Sequence, residues 1–399
     1  SEKAFFSDSR IQIIFDDGRA YLDRVQKKYN AIILNLPEPS TAQINRFYTK
    51  QFFIKVKEKL RPRGVFSLRI PSAENYISPQ LQRYLSSLYY TLKEAFLEIA
   101  VVPGDTNIFL ASDIPISIDY DFLRGRIESR GLRNLYVTPA LLSARLDPLR
   151  VDRLRDKIAS GQKSLNLDMA PICYFFATVL WSTQFRGFGT DILTFLSHVP
   201  RFWLLDFPLL LFILLLLSLW LRRKSSGFFL IPLAVMGFTT IISEIIIIIW
   251  FQTLYGYVYG RLALLLSTFM AGLSLGAWRS LKRRKFAFSQ IIIIQAGFLL
   301  LLFLFQLALK AKLPELLIFG FLLLFGYLGG NLFVVCNSLF IKQKFHFGLG
   351  YGLDLLGSFL GALAASAFLL PLMGLLVVVR YLILLNSFCL AFLFLRPKV

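Results

Sequence analysis

Two adjacent carboxylates, Asp16 and Asp17, close an apolar run from Arg10 to Phe15 and are followed directly by Gly18. A second polar cluster, Asn35-Leu36-Pro37-Glu38-Pro39, closes the apolar run Ala31 to Leu34. In doubly wound α/β sheets, ligands sit beyond the carboxyl ends of the strands, so polar loops at consecutive strand ends form a candidate cleft. A carboxylate placed there can accept a proton or hold a cationic or hydroxylated ligand. The same residues also serve as turn punctuation, with Asp17-Gly18 as a turn and Pro37 and Pro39 as loop markers. Three further ionisable residues, Glu244, Asp354 and Arg380, stand in strongly apolar surroundings. Within a membrane such groups are costly unless they are paired or face water, which makes them candidates for function. The structural alternative pairs Glu244 or Asp354 with Arg261 or Arg380, or hydrogen-bonds them to Thr239, Thr240 or Ser358.

The elements that would position the first set alternate. Arg10 to Phe15 reads as a strand, Arg19 to Lys27 as a short helix, and Ala31 to Leu34 as a strand buried on both faces. A helix from Thr49 to Leu60 is broken by Arg61-Pro62-Arg63-Gly64, and Val65 to Ile70 is the next strand. A helix over Pro79 to Phe96 precedes strands at Leu97 to Val102 and Asn107 to Ala111. Alternation of this kind implies βαβ units and a mostly parallel sheet over residues 1–137. Residues 138–201 read as an amphipathic or interfacial linker. In it, Thr138-Pro139 and Asp147-Pro148 look like helix starts, and Arg150, Arg153, Arg155, Lys157 and Lys163 form a basic face that rests on lipid head groups or in solvent.

From about residue 202 to 399 the chain changes character. Apolar spans fall near 203–221, 227–251, 262–278, 289–309, 314–340, 348–373 and 375–395, and segments near 20 apolar residues can cross a ~30 Å hydrocarbon core as helices. The expected fold class is a partial Rossmann-like, methyltransferase-type α/β domain followed by a polytopic helical membrane domain of about seven helices. The lipid bilayer is its first expected partner.

The formal net charge of +20 does not point to nucleic acid. Much of the excess flanks apolar spans: Arg222, Arg223 and Lys224; Arg279 with Lys282 to Lys285; Lys342 and Lys344; Arg396 and Lys398. That is the positive-inside pattern of a bacterial inner-membrane or plasma-membrane type of protein, with a cytoplasmic C-terminus. A cytoplasmic α/β domain then requires the short segment Pro171 to Phe185 to cross as well; the alternative is an interfacial helix. Cys173, Cys336 and Cys389 all lie in apolar stretches without CxxC spacing, and only His198 and His346 are present, so neither a metal nor haem is expected. The chain opens on Ser1 rather than Met and shows no signal peptide, as a processed product or a piece of a longer chain would.

Asp16-Asp17-Gly18-Arg19-Ala20-Tyr21-Leu22, Tyr29-Asn30-Ala31-Ile32-Ile33-Leu34-Asn35-Leu36-Pro37-Glu38-Pro39, Phe47-Tyr48-Thr49-Lys50-Gln51-Phe52-Phe53 and Leu60-Arg61-Pro62-Arg63-Gly64-Val65 follow one another in order. Together they resemble the latter part of the polyamine aminopropyltransferases (spermidine synthases), whose pattern is GDGRxFL, YDVIIxDxxDP, FYTxEFF and LxPxGV. Pro39 to Arg46, Asn166 to Tyr174, Phe251 to Tyr259 and Leu353 to Gly357 are similar to the membrane-fused branch of that family. The resemblance implies aminopropyl transfer from decarboxylated S-adenosylmethionine to an amine. Asp17, with Gly18, would then help hold the cosubstrate's adenine, and Asn35 and Glu38 would stand at the two acid positions that handle the amine.

Two departures follow. The acid implicated in removing the amine's proton is replaced by Asn35, an amide without useful basicity. The glycine-rich first strand–turn–helix and the acidic ribose-binding residue have no counterpart in residues 1–399. The resemblance therefore implies a degenerate site that is inactive alone, completed by a second polypeptide or by a missing N-terminal half. The alternatives are a structural membrane subunit of a larger complex, or half of a transporter for a cationic metabolite, which would need Glu244 and Asp354 to line one cavity.

Overall fold

The computed structural model describes residues 8–74, 76–132, 135–183, 191, 195, 199–221, 227–256, 259–283, 285–342 and 347–395. Its α/β part runs α1 (Gly18–Arg24), β1 (Tyr29–Leu34), the single turn α2 (Ala42–Asn45), α3 (Lys50–Lys59), β2 (Leu60–Pro71), α4 (Pro79–Lys93), β3 (Glu98–Val102) and β4 (Thr106–Ser112). Asp17, Thr41, Thr49 and Ser78 cap α1 to α4 by accepting from first-turn N–H groups that have no partner within the helix.

The strand order is β1-β2-β4-β3. Only β1 and β2 are parallel, and β4 runs antiparallel to both of its neighbours. The sheet is therefore not mostly parallel. The link from Val102 to Thr106 is long enough only for a hairpin, because a parallel pair needs a crossover of a dozen or more residues. Arg10 to Phe15 forms no strand, and Ile13, Ile14 and Phe15 are exposed. Its composition suits a strand, but strand N–H and C=O groups need a neighbour, and among the described residues none pairs with it. The outer edge of β1 is likewise unpaired among the described residues, and Ile33 on it is 73% exposed.

After β4 come α5 (Tyr120–Ser129), α6 (Pro139–Arg145), α7 (Pro148–Ala159) and α8 (Ile172–Ser182). Thr138 and Asp147 cap α6 and α7, each just ahead of a proline in the first turn. Leu154 and Ile158 of α7, and Cys173, Phe175, Ala177 and Val179 of α8, are buried in the same cluster as Phe53, Phe66 and Phe109 of the sheet. The α/β core thus continues past residue 137 to Val179. Helix α8 has eleven residues, about 16 Å at ~1.5 Å per residue, half of what a ~30 Å hydrocarbon core demands. The segment expected to cross at 171–185 instead packs against α4, where its apolar residues find burial without lipid. Gln184 and Phe185 lie outside the described residues.

The second part is a helical bundle: α9 (Arg201–Leu221), α10 (Gly227–Tyr255), α11 (Tyr259–Leu281), α12 (Phe288–Ala308), α13 (Glu315–Lys342) and α14 (Phe347–Ala364). Helix α14 continues through a π turn, Ala365–Leu369, into α15 (Leu370–Met373), and α16 (Leu375–Phe394) completes the bundle. The wider turn precedes Pro371, which has no N–H to give and crowds the carbonyl four residues back. Among the described residues, six spans are long and apolar enough to cross a membrane: Phe228–Tyr255, Gly260–Leu281, Phe288–Ala308, Glu315–Ile341, Gly348–Met373 and Leu375–Phe394. The apolar stretch of α9, Asp206–Leu221, is shorter. Buried amides join helices within the bundle: Asn386 donates to Thr239 (2.9 Å) and accepts from Gln295 (2.8 Å).

The α/β domain caps one end of the bundle. Arg46 donates to the Gln252 carbonyl near the end of α10 (3.3 Å), and Tyr174 donates to the Ser366 carbonyl (2.9 Å). The Leu375 N–H at the start of α16 donates to the Met169 carbonyl (2.7 Å). Because successive helices alternate in direction, the helix ends at Leu221, Leu281, Lys342 and Phe394, which the basic clusters follow in sequence, lie at the other end. Within those clusters, residues 222–224, 284, 344, 396 and 398 lie outside the described residues.

Candidate functional site

Asp17 stands at the head of α1, where its carboxylate accepts from the N–H groups of Arg19 (3.1 Å) and Ala20 (3.0 Å). It also forms a buried ion pair with Arg46, whose Nη1 lies 3.2 Å from Oδ1. The Arg46 guanidinium stacks over Phe47 at 4.5 Å and reaches the bundle through Gln252. Gly256, with φ of +83°, ends α10 against this carboxylate, and a Cβ there would come within 3.1 Å of Asp17 Cγ. Asp17 is thus turned toward the bundle and held by a guanidinium. Gly18 is the first residue of α1.

One turn into the chain from there, Arg19 is buried against Asp168 (2.8 Å through Nη1), with Thr49 donating to the same carboxylate (2.6 Å). Asn166 lies beside them and donates to Asn45 (3.0 Å) and to the Tyr48 carbonyl (2.9 Å), while its own carbonyl oxygen accepts from the Cys173 N–H (3.2 Å). These polar contacts lock the 166–173 segment onto the loop after β1. Arg19, Arg46, Asn166 and Asp168 were not singled out as site residues from sequence. Their signal was their place inside the quoted motif stretches, where a charged residue in a run bound for burial needs a partner.

Asn35 and Glu38 part company. Asn35 is exposed at the end of β1. Glu38 is half-buried and lines a cavity of about 240 Å³ with Ser72, Ser78, Tyr76, Leu180 and Trp181, so that α8 forms one wall. Burial holds its carboxyl above the usual glutamate range. The neighbouring Tyr48 phenol, which donates to the Pro37 carbonyl (2.8 Å), is pushed up by burial and further by the Glu38 charge. The two loops at consecutive strand ends therefore do not converge on one cleft: Asp17 faces the bundle, and Glu38 faces its own cavity.

In the bundle, Glu244 of α10 and Asp354 of α14 line one cavity. The pairings expected for them do not form among the described residues. Arg261 pairs with Glu315 (3.0 Å), Arg380 is exposed on α16, Thr239 accepts from Asn386, and Thr240 donates to the Met236 carbonyl (2.9 Å).

Residues 1–110 match the spermine/spermidine synthase domain. Similar proteins include a polyamine aminopropyltransferase of Korarchaeum cryptofilum, 30% identical over 131 residues, covering 31% of this chain and 40% of that protein. A polyamine aminopropyltransferase of Nitrosomonas europaea is 30% identical over 135 residues, covering 33% and 41%. A thermospermine synthase of Arabidopsis thaliana is 26% identical over 134 residues, covering 31% and 39%. The chain therefore spans about two fifths of the length of these relatives. The small mixed sheet with its helices is consistent with the Rossmann-like, methyltransferase-type architecture of a spermidine synthase-like domain. That family uses decarboxylated S-adenosylmethionine as co-substrate. The Asp17 carboxylate is engaged by Arg46 and by the start of α1.

Proposed function

We propose that this chain is the membrane-embedded part of an aminopropyltransferase-like assembly. Its α/β domain becomes competent for aminopropyl transfer only when polypeptide outside residues 1–399 pairs with β1. The observation that carries this reading is the bare edge of β1. Within residues that match the spermine/spermidine synthase domain, β1 leaves Ile33 exposed and its outer backbone groups unpaired among the described residues. Six apolar helices support the bilayer as the setting. Asn35 at the family's proton-accepting position, and Asp17 drawn to Arg46, support inactivity of the chain by itself.

Calorimetric titration of the purified chain with decarboxylated S-adenosylmethionine tests the reading. No binding is expected at low micromolar ligand, and a low-micromolar dissociation constant for the isolated chain would defeat it.

A second reading, a structural membrane subunit with the α/β domain as a docking cap, is favoured by one specific observation. The α/β domain and the helix ends that the basic clusters follow in sequence are at opposite ends of the bundle. With the clusters on the cytoplasmic side, as the positive-inside rule directs, the α/β domain lies across the bilayer from them.

A further inference from the structure

Two helix pairs in the bundle are knit by glycine. On one side Gly357 of α14 lies against the backbone of Ala234 in α10, and on the other Gly330 of α13 lies against the backbone of Leu273 in α11. Between the pairs is a cavity of about 280 Å³, to which all four helices contribute. Its size is near the lower end of small-molecule pockets, roughly 300–1,000 Å³.

The cavity holds two carboxylates. Glu244 is only 7% exposed and lines the cavity, and among the described residues neither it nor Asp354 has an ion-pair or hydrogen-bond partner. A buried carboxylate without a partner must bind a proton or meet a cation. The remaining lining selects among cations. Calcium or magnesium needs about six or more oxygens gathered around one point, whereas these carboxylates stand at different depths. No group of three or more His, Cys, Asp or Glu that could hold a metal is found among the described residues. Asp354 Oδ1 lies 2.8 Å from where a Cβ on Gly237 would be. Glu244 is seven residues further along α10, about 10 Å at ~1.5 Å per residue. Phe333 and Tyr351, which pack edge-to-face on one another, line the cavity with apolar side chains, and an alkylammonium gains from both apolar walls and aromatic rings as a proton does not.

We infer that Glu244 and Asp354 form an intrabundle binding site for a linear alkyl diamine, one ammonium group at each carboxylate and the methylene chain along the apolar wall. This site does not depend on the aminopropyl-transfer reading.

The test uses the full chain in lipid nanodiscs, with putrescine as probe and n-butylamine as the single-headed control. Calorimetry is expected to show putrescine binding, with n-butylamine at least about tenfold weaker. Glu244→Gln and Asp354→Asn are each expected to weaken putrescine at least about tenfold while the protein stays monodisperse. Absence of putrescine binding, equal affinity for n-butylamine, or unchanged binding by both variants would overturn the site. Should a variant fold poorly, the wild-type chain still decides the matter. Putrescine is expected to protect Glu244 from modification by a hydrophobic carbodiimide, read by peptide mass spectrometry, and unchanged modification would refute the site.

Discussion

The carboxylate of Asp17 and the guanidinium of Arg46 form a buried ion pair that also fastens the α/β domain to the bundle, because Arg46 donates onward to the Gln252 carbonyl. An acid that the family resemblance assigns to a cosubstrate here serves a joint between two parts of one chain. Truncating one member of a buried pair typically costs about 3–5 kcal/mol, since the other charge is left without compensation. Arg46→Met is therefore expected to loosen the joint. Hydrogen exchange should speed up over Gly18–Arg24 and Gln252–Gly256, and the double variant with Asp17→Asn should be less damaged than the single effects sum to. Unchanged exchange at Gln252–Gly256 in Arg46→Met would show that the pair does not hold the joint.

Glu38 gives a pH-dependent expectation. Burial raises its carboxyl pKa in the folded protein above the unfolded value of about 4.3. The folded state therefore binds the extra proton more readily, and stability falls as pH rises through the interval between the two values. This stabilising contribution is complete below the unfolded pKa and is lost above the folded one. Glu38→Gln should flatten that part of the stability–pH curve of the α/β domain, measured by urea unfolding followed through tryptophan fluorescence. A curve of the same shape in the variant would place the titration elsewhere.

The exposed edge of β1 predicts a split between stability and association. Exposed substitutions usually change stability by no more than ~0.5 kcal/mol, so Ile33→Lys should leave the isolated chain as stable as before. It should prevent capture of polypeptide along β1, since a lysine on a paired edge opposes strand addition. Disulfide trapping from Ile33→Cys, followed by mass spectrometry of the joined peptide, checks the second half. A chain that crosslinks to nothing in its native membrane would count against an edge-pairing partner.

Much of the local structure was legible in sequence because it depends on near neighbours. Thr138 and Asp147 ahead of prolines mark helix starts by their own capping chemistry, and β3 and β4 follow from apolar runs flanking Gly104. What was not legible depends on distant partners. Arg10 to Phe15 has the composition of a strand, yet a strand also needs a neighbour, and among the described residues it has none. Ile172 to Ser182 is apolar enough to suggest lipid, but the apolar environment it enters is the face of α4. The destination of Asp17 turned on Arg46, twenty-nine residues away, and on Gln252, in the other part of the chain. Composition can show that a charge needs a partner; it does not choose between a ligand and a side chain.

Orientation is the most direct test of the molecule's plan. Twelve lysines and arginines flank one end of the apolar spans: Arg222, Arg223, Lys224, Arg279, Lys282, Arg283, Arg284, Lys285, Lys342, Lys344, Arg396 and Lys398. Arg261, Lys310, Lys312 and Arg380 lie on or near the other. Such a bias opposes translocation of the basic end during insertion, so that end and the C-terminus are expected in the cytoplasm. The contacts of Arg46, Met169 and Tyr174 put the α/β domain at the opposite end of the bundle. Single cysteines at Ser129→Cys in α5 and Lys285→Cys after α11, in a background lacking Cys173, Cys336 and Cys389, separate the possibilities. A membrane-impermeant maleimide added to intact cells should label Ser129→Cys and spare Lys285→Cys until the cells are opened. Labelling of Lys285→Cys alone would reverse the orientation and put the α/β domain in the cytoplasm. Identical accessibility of both positions would contradict the placement of the α/β domain opposite the basic clusters.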